Sequence, residues 1–324
     1  MSKQELLKES GFKRFIKAFM RNKTYLLMVL PGTVLMLIFN YLPMAGMPIA
    51  FKNFKNHPGS NIFGNFFKSE WVGFKNFSFL FSTSDGIKAT GRTVGYNVVF
   101  IIAGLVCSVA LAIALNEVIN KNMKKFYQTT FLLPYFLSWV VVGYLVYAFL
   151  SPRTGVVNRV FLENMGIEGI NWYADTRIWP FLFVFLNVWK NVGYNTVIYL
   201  AALTSIDQEY YEAASIDRAN KWQQIRHITI PHLVPLMTIL TILAVGRIFT
   251  GDFGLFYMTT SALGMGALKS VGNVLDTFVY DALFRMNSIG MSSAASFYQS
   301  VVGFIMVLGA NLIVRKTDKE NSLF

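Results

Sequence analysis

The chain has 324 residues, of which 54% are apolar and 14% are charged, and its formal net charge is +12. A soluble domain is usually ~25% charged, so this composition excludes an ordinary soluble protein as well as a disordered, collagen-like or disulfide-rich one. The single cysteine, Cys107, excludes an internal disulfide. The composition predicts an all-α, polytopic membrane protein, whose basic loops face anionic lipid rather than nucleic acid.

Six transmembrane helices are predicted, because a helix needs ~20 mostly apolar residues to cross the hydrocarbon core. Four of them lie in charge-free runs of sufficient length, at residues 24–51, 93–116, 126–152 and 286–314. Two further apolar runs contain one basic residue each, at residues 178–206 (Lys190) and 232–251 (Arg247). An even number of crossings places both termini on the same side, and the basic N-terminal cluster favours the cytoplasmic side.

The crossings divide the chain into consecutive segments. Residues 1–23 are predicted to form a cytoplasmic amphipathic helix on the membrane surface, with a solvated basic tail as the alternative. Residues 24–51 form the first predicted span, and residues 52–92 an external loop with aromatic residues at the interface. Residues 93–315 form a core of five spans, and residues 316–324 a cytoplasmic tail.

The loop at residues 207–231, between the fourth and fifth spans, is too polar and too regular for a simple connector. It is predicted to form two short surface helices, at residues 209–214 and 219–227, with Asp207 capping the first. Pro231 is suited to the start of the next helix. The loop also offers two small residues for close approach of a partner and three charged ones for orienting it, namely Ala213, Ala214, Glu212, Asp217 and Arg218. An ordinary amphipathic loop is the alternative.

The same loop resembles the EAA loop of ABC importer permeases, whose pattern is Glu-Ala-Ala, a following Gly and a later Ile-x-Leu-Pro. The matching residues are Glu212, Ala213, Ala214, Ile228 and Pro231, with Ile230 in place of the Leu. Segments 41–44, 71–74 and 199–203 resemble the carbohydrate branch of these permeases, and within it the subfamily that imports oligosaccharides released from polysaccharides. Arg218 stands where the family has Gly. Gly would permit a positive φ at the bend between the two helices, and Arg can still make the bend if φ stays negative.

The resemblance implies a type I ABC importer permease fold in a bacterial cytoplasmic membrane. It implies a heterodimer with a second permease, two ATPase subunits that bind ATP and Mg, and an extracytoplasmic solute-binding protein that delivers a carbohydrate. The permease itself is not catalytic, and no cofactor is expected in this chain. The residues implied in coupling to the ATPase are Glu212, Ala213, Ala214, Asp217, Arg218, Ile228 and Pro231.

The chain has no recognisable ATP or metal site of its own. In the segment 264–270, Leu268 precedes Lys269 where a phosphate-binding loop needs Gly. The three histidines, His57, His227 and His232, do not form a cluster of the kind that zinc requires.

Polar residues inside the spans are candidates for the substrate pathway, because ionisable groups there are costly. Four of them recur at three- and four-residue spacing on one helix face, namely Asn187, Lys190, Asn191 and Tyr194. Arg247, Tyr298 and Gln299 are further candidates. Such a polar and aromatic lining suits a sugar, and two cations suit an acidic one such as a uronate oligomer of the alginate kind.

Each of these residues also has a structural interpretation. Lys190 can snorkel or pair with an acidic group of a partner permease, Arg247 can pair with Asp252, the asparagines can link helices, and Tyr298 can anchor the interface.

Two other functions are possible alternatives for a chain of this composition. A stand-alone secondary transporter or channel would more often show repeats and intramembrane acidic residues, and a membrane enzyme would need a clustered catalytic constellation.

Overall fold

The computed structural model describes residues 19–55, 59, 61–261, 266–285, 287–317 and 322, and the regular structure in these ranges is helical. A single antiparallel bridge, between Lys52 and Trp71, is the β contact found there. The α-helices are α1 (Lys23–Met36), α2 (Ile62–Lys68), α3 (Ser78–Ser82), α4 (Ser84–Asn116), α5 (Lys121–Leu132), α6 (Trp139–Leu150), α7 (Trp179–Leu203), α8 (Gln208–Ile216), α9 (Lys221–Gln224), α10 (Ile230–Val245), α11 (Phe253–Phe256), α12 (Lys269–Gly272), α13 (Leu275–Phe284) and α14 (Ile289–Thr317).

The packed centre of the bundle is the pair α4 and α7, which lie along each other. Near the start of α7, the buried rings of Trp179 and Phe183 meet Phe100 of α4 and Phe256 of α11. Towards the other end, a second cluster joins α4, α7 and the start of α10 through Val109, Ala112, Leu115, Tyr199, Leu200, Leu203 and Leu233. These two clusters fix the position of the loop that follows α7.

Four helical stretches in the described ranges are long and apolar enough to cross a membrane, and a fifth is counted if a bent pair is one span. The four are Lys23–Phe51, Ser84–Asn116, Lys221–Val245 and Ile289–Lys316. Adding α7 to these five gives the six predicted spans. Helix α7 is 25 residues long but carries polar residues along its length. The all-α membrane class is therefore confirmed, and the number of six spans is approximate.

The span predicted at residues 126–152 is not one straight helix. The chain there is a bent pair, Lys121–Phe136 and Trp139–Leu150, with an angle of 98° between its halves. Pro134 cannot donate a backbone hydrogen bond, and Leu137 is extended, with a ψ of 135°. Ser138 then caps α6 by accepting a 3.3 Å hydrogen bond from the amide of Val141.

Other boundaries also differ from the predicted ones. Helix α4 begins at Ser84, inside the predicted external loop, and α10 ends at Val245, so that Arg247 lies in a turn beyond the helix. The predicted amphipathic helix at 1–23 lies outside the described residues up to residue 18. The same is true of Met286, where the last span was predicted to start, of residues 264 and 265 in the segment 264–270, and of most of the predicted tail at 316–324.

The first span packs on the bundle mainly through its C-terminal end, as far as the described residues show. Helix α1 contains no buried residue, whereas the 3₁₀ segment Leu42–Phe51 packs on α14. The ring of Phe51 lies 5.3–5.7 Å from the aromatic rings of four residues, Trp71, Phe74, Phe77 and Phe297. Aromatic residues of the predicted external loop therefore cluster with Phe51 and Phe297.

Candidate functional site

The coupling loop, residues 207–231, begins with the short helix α8. The side chain of Asp207 caps this helix by accepting a 3.1 Å hydrogen bond from the amide of Glu209, which confirms the predicted cap. Glu212 and Ala213 are exposed on α8, and Ala214 is half-buried. The Glu-Ala-Ala segment therefore stands on the surface of a capped helix.

The bend after α8 corrects the expectation for Arg218. Its φ is +57°, so an arginine adopts the left-handed conformation that glycine normally supplies. The amide of Arg218 donates to the carbonyl of Ser215 at 3.1 Å, and the amide of Ala219 donates to that of Ala214 at 2.9 Å. These two bonds form a Schellman motif, whose geometry requires a positive φ at this position. Arg218 therefore makes the bend with a positive φ rather than a negative one, because this motif, rather than residue preference, sets the backbone.

The second half of the loop also differs from the prediction. Asn220 and Gln223 form a reciprocal capping box at the start of α9, with bonds of 2.9 and 2.8 Å. Helix α9 then continues through the π-helical turn Ile225–Thr229 into α10, so no new helix starts at Pro231. A wide π turn in front of a proline tolerates the missing N–H, because the local i→i−4 pattern is already interrupted. The second loop helix is therefore the beginning of the fifth span.

Side-chain hydrogen bonds close the loop into one compact unit. The hydroxyls of Tyr211 and Thr229 are 3.0 Å apart, which joins α8 to the base of α10. The buried amide of Gln224 donates to the hydroxyl of Ser215 at 3.1 Å and to the carbonyl of Ala219 at 3.3 Å. Of the remaining predicted coupling residues, Asp217, Arg218 and Pro231 are exposed and Ile228 is half-buried. Helix α8 is thus linked directly to the base of the fifth span.

Lys190 does not point into an open cavity. Its side chain is buried, and Nζ donates to the carbonyls of Tyr135 and Leu137 at 2.8 and 2.7 Å. Nζ also lies 5.4 Å from the centre of the Trp139 ring. These carbonyls belong to the break between the two halves of the bent pair, where backbone groups lose their helical partners. The position favours a structural role.

Of the other three residues predicted on the same face of α7, two bond to each other within the helix and one is exposed. The side-chain amide of Asn191 donates to the carbonyl of Asn187 at 2.9 Å, within the helix itself. Tyr194 is 44% exposed, and its ring stacks on that of Tyr135 with the centroids 4.6 Å apart. Tyr194 therefore offers an aromatic face beside the break in the third span.

Arg247 and Gln299 lie together in a cleft of ≈ 460 Å³ between α10 and α14, here called the α10–α14 cleft. Arg247 is exposed, and no ion pair joins it to Asp252, although both lie in the described part of the chain. Asp252 instead caps α11 through the amide of Leu255, at 3.2 Å. The hydroxyls of Thr250, Ser296 and Ser300 complete the polar part of the lining. A free guanidinium among hydroxyls is suited to binding carboxylate and sugar groups.

The turn that carries Arg247 is held by side chains that sequence reasoning missed. Asn97 of α4 donates to the carbonyls of Ile248 and Thr250 at 2.9 and 3.0 Å. Asp276 accepts from the amide of Gly251 and, at 3.1 Å, from Gln299. The sequence offered one indication of such a role, namely that Asn97 and Asp276 are polar residues close to apolar segments. Their partners are more than 20 residues away, so the contacts themselves are not visible in the sequence.

The predicted pathway residue Tyr298 belongs instead to an aromatic cluster. Its ring meets that of Phe81 at 5.2 Å and that of Phe249 at 5.9 Å, each at a steep angle. Gln299, its neighbour, lines the α10–α14 cleft but also donates to the carbonyl of Phe249 at 2.8 Å. Of the seven predicted pathway residues, Arg247, Gln299 and Tyr194 are thus the ones placed at open positions.

Comparison with known proteins agrees with this geometry. The family described as "binding-protein-dependent transport system inner membrane component" matches residues 101–319. Protein LplB of Bacillus subtilis is 34% identical over 94% of this chain and 93% of its own length. The polygalacturonan/rhamnogalacturonan transport system permease protein YteP of the same organism is 32% identical over 97% and 95%. A crystal structure of a bacterial ABC transporter that imports the acidic polysaccharide alginate has a chain that matches with a TM-score of 0.82 and 30% identity, over 94% of this chain and 99% of that one.

Proposed function

The chain belongs to the family of binding-protein-dependent transport system inner membrane components and is a carbohydrate permease of the ABC importer class, and we propose that it couples the ATPase cycle to oligosaccharide passage through its coupling loop. The observation that carries this proposal is the coupling loop itself. It is compact, exposed on α8 and continuous with the fifth span. A lever must be rigid and must contact its partner differently in two states, and these features meet the first requirement.

The proposal includes the partners and orientation that the loop requires. ATP and Mg are bound by two separate ATPase subunits, a second permease completes a heterodimer, and an extracytoplasmic solute-binding protein delivers the sugar. Both termini lie on the cytoplasmic side, the side of the coupling loop. We propose that the chain is divided into a first span at residues 24–51 and a core of five spans at residues 93–315. Within the loop, Glu212, Ala213, Ala214, Asp217 and Arg218 form the coupling surface, with Ile228 and Pro231 at its base.

The test is the ATPase activity of the complex purified with its partners, with and without the binding protein and oligosaccharides. Glu212→Ala combined with Ala213→Asp places a charge on the coupling surface, and we expect it to abolish sugar-stimulated hydrolysis. Glu163→Ala removes an exposed carboxylate from the loop between α6 and α7 and serves as the control, with activity retained. Absence of any associated ATPase would favour the alternative of a stand-alone carrier.

We further propose that the imported oligosaccharides are acidic. Support comes from the uncompensated guanidinium of Arg247 in the α10–α14 cleft, and from similarity to the permeases named for alginate and for polygalacturonan/rhamnogalacturonan. A charge-assisted hydrogen bond contributes about 1.5–3 kcal/mol, so Arg247→Ala is expected to raise the concentration of uronate oligomer needed for half-maximal stimulation by roughly 10- to 100-fold. Arg177→Ala, which removes an exposed arginine before α7, is the control. An equal effect of Arg247→Ala on neutral and acidic sugars would contradict the proposal.

A further inference from the structure

A second loop lies against the coupling loop at the same end of the bundle. This corner, residues 117–120, joins α4 to α5. Oε2 of Glu117 lies 2.9 Å from Nζ of Lys221, at the start of α9. The two loops enclose a cleft of ≈ 490 Å³, here called the corner cleft.

Two isoleucines line the corner cleft and are almost fully exposed. Ile119 of the corner is 96% exposed, and Ile216, the last residue of α8, is 83% exposed. Trp222 of α9 is 70% exposed nearby in sequence. Large apolar side chains that are grouped and exposed on a polar loop surface are typical of a protein-binding site.

The corner holds Ile119 in a defined place. The amide of Val118 donates to the carbonyl of Leu115 at 3.3 Å, which ends α4. The side chain of Asn120 caps α5 by accepting from the amides of Asn122 and Met123, at 2.9 and 3.2 Å. Because the backbone is fixed on both sides of Ile119, this side chain can be buried in a complex with little further loss of backbone entropy.

We propose that the ATPase subunit binds the corner as well as the coupling loop, with Ile119 and Ile216 as two apolar anchors on either side of the corner cleft. This inference rests on the proposed coupling function. The corner surface is continuous with the surface of α8 through the shared cleft and the Glu117–Lys221 ion pair. Acyl chains are a poor occupant here, because Glu117, Glu212 and Lys221 line the same cleft.

The consequence is mechanical. An ATPase subunit that binds the coupling loop alone would move the fourth and fifth spans. One that also binds the corner would move the end of α4 and the start of α5 as well. Helix α4 packs along α7 in the centre of the bundle, and α5 leads into the bent pair. Closure of the ATPase subunits would then move two pairs of spans as one block.

Thiol accessibility tests the inference directly. Cys107→Ser gives a cysteine-free chain in one substitution, since Cys107 is the only cysteine. Cysteine is then placed singly at Ile119, at Ile216 and, as control, at Ile167, which is 49% exposed in the loop before α7. Each variant is reconstituted with its partner permease in lipid nanodiscs, which leave both faces of the membrane open to solvent, and labelling by a charged maleimide is compared with and without the ATPase subunits. We expect labelling at positions 119 and 216 to slow at least tenfold in the full complex, and labelling at 167 to be unchanged.

The outcomes separate this inference from the proposed function. Protection at 216 but not at 119 overturns the corner contact and leaves the coupling loop in place. Protection at neither position contradicts both. Protection at 119 in nanodiscs that lack the ATPase assigns the corner to the membrane surface and also overturns the inference.

A functional variant completes the test. Ile119→Asp is expected to lower ATPase retention during purification and sugar-stimulated hydrolysis severalfold, while Ile119→Leu retains both. Because Ile119 is exposed, the aspartate leaves the fold of the permease intact, which the thermal unfolding midpoint of the permease pair checks. Full activity of Ile119→Asp would contradict the proposed anchor.

Discussion

At the residue scale, Arg218 shows how local geometry prevails over residue preference. A non-glycine residue in the left-handed region costs about 1–2 kcal/mol. Arg218 adopts a φ of +57° because the hydrogen bonds of the Schellman motif connect α8 to the next turn. An arginine thus occupies a backbone conformation to which it is intrinsically unsuited, and its guanidinium is exposed on the surface of the loop.

Replacing this residue by the family glycine should stabilise the bend. Arg218→Gly removes the left-handed cost but adds flexibility to the unfolded loop, so we expect a net gain of about 0.5–1 kcal/mol. Hydrogen exchange of the Ala219 amide should slow roughly threefold. Arg218→Ala removes the charge and keeps the conformational cost, so exchange there should not slow. Faster exchange in the glycine variant would contradict the explanation.

Lys190 shows a second effect at the residue scale. Its buried ammonium group donates hydrogen bonds to backbone carbonyls that have no helical partner at the break in the third span. Lys190→Met keeps the length of the side chain but leaves the carbonyls of Tyr135 and Leu137 without their donor. Each unsatisfied buried group costs about 1–3 kcal/mol, so a clearly lower thermal unfolding midpoint is expected. Partial recovery in Lys190→Arg would support hydrogen bonding as the cause. A stable Lys190→Met variant with altered sugar preference would instead restore the substrate-contact prediction.

At the element scale, the bend in the third span decides how the bundle packs. The end of α5 approaches α7 so closely at Gly193 that a Cβ atom there would overlap the carbonyl of Phe131. Since the obstruction is backbone rather than a flexible side chain, it cannot move aside. Gly193 is buried and lies one turn from Lys190, so the close approach and the lysine hydrogen bonds hold the same junction.

Gly193→Ala is accordingly expected to prevent normal assembly of the bundle. We expect the variant to be lost from the membrane fraction or to unfold at a much lower temperature in detergent. Gly104→Ala is the matched control, since it lies in α4 with no atom within 4 Å of the added Cβ. It should be neutral or slightly stabilising, because alanine favours a helix by about 1 kcal/mol over glycine. Equal stability of both variants would show that the junction is looser than described.

At the scale of the whole molecule, the end of the bundle that carries the coupling loop forms one connected block. The capping box, the Tyr211–Thr229 hydrogen bond and the Glu117–Lys221 ion pair tie the coupling loop to α10 and to the corner. An exposed ion pair contributes only about 0–1 kcal/mol, so the helical continuity of α9 with α10 is the main source of rigidity.

Spin-label distances in the assembled transporter test whether this block moves as a unit. In the Cys107→Ser background, labels at Lys125 and Arg226 lie on α5 and at the base of α10, both exposed. We expect their distance distribution to be the same in the nucleotide-free and ATP-bound complexes. Labels at Arg226 and Ile167 should give distances that differ between the two states. A change in the first pair that equals the change in the second would contradict block movement.

The sequence by itself determined the membrane class, the approximate positions of the spans, the capped coupling loop and the family. These properties depend on local composition, on helical periodicity and on one short motif, all of which are written along the chain. Tertiary structure decided the 98° bend, the positive φ of Arg218 and the partners of Lys190. It also brought Arg247 and Gln299, which are 52 positions apart in the numbering of the chain, into one cleft, and Ile119 beside Ile216. Such outcomes depend on which distant segments meet in space, because a polar group inside a membrane takes whatever partner the packing brings within reach.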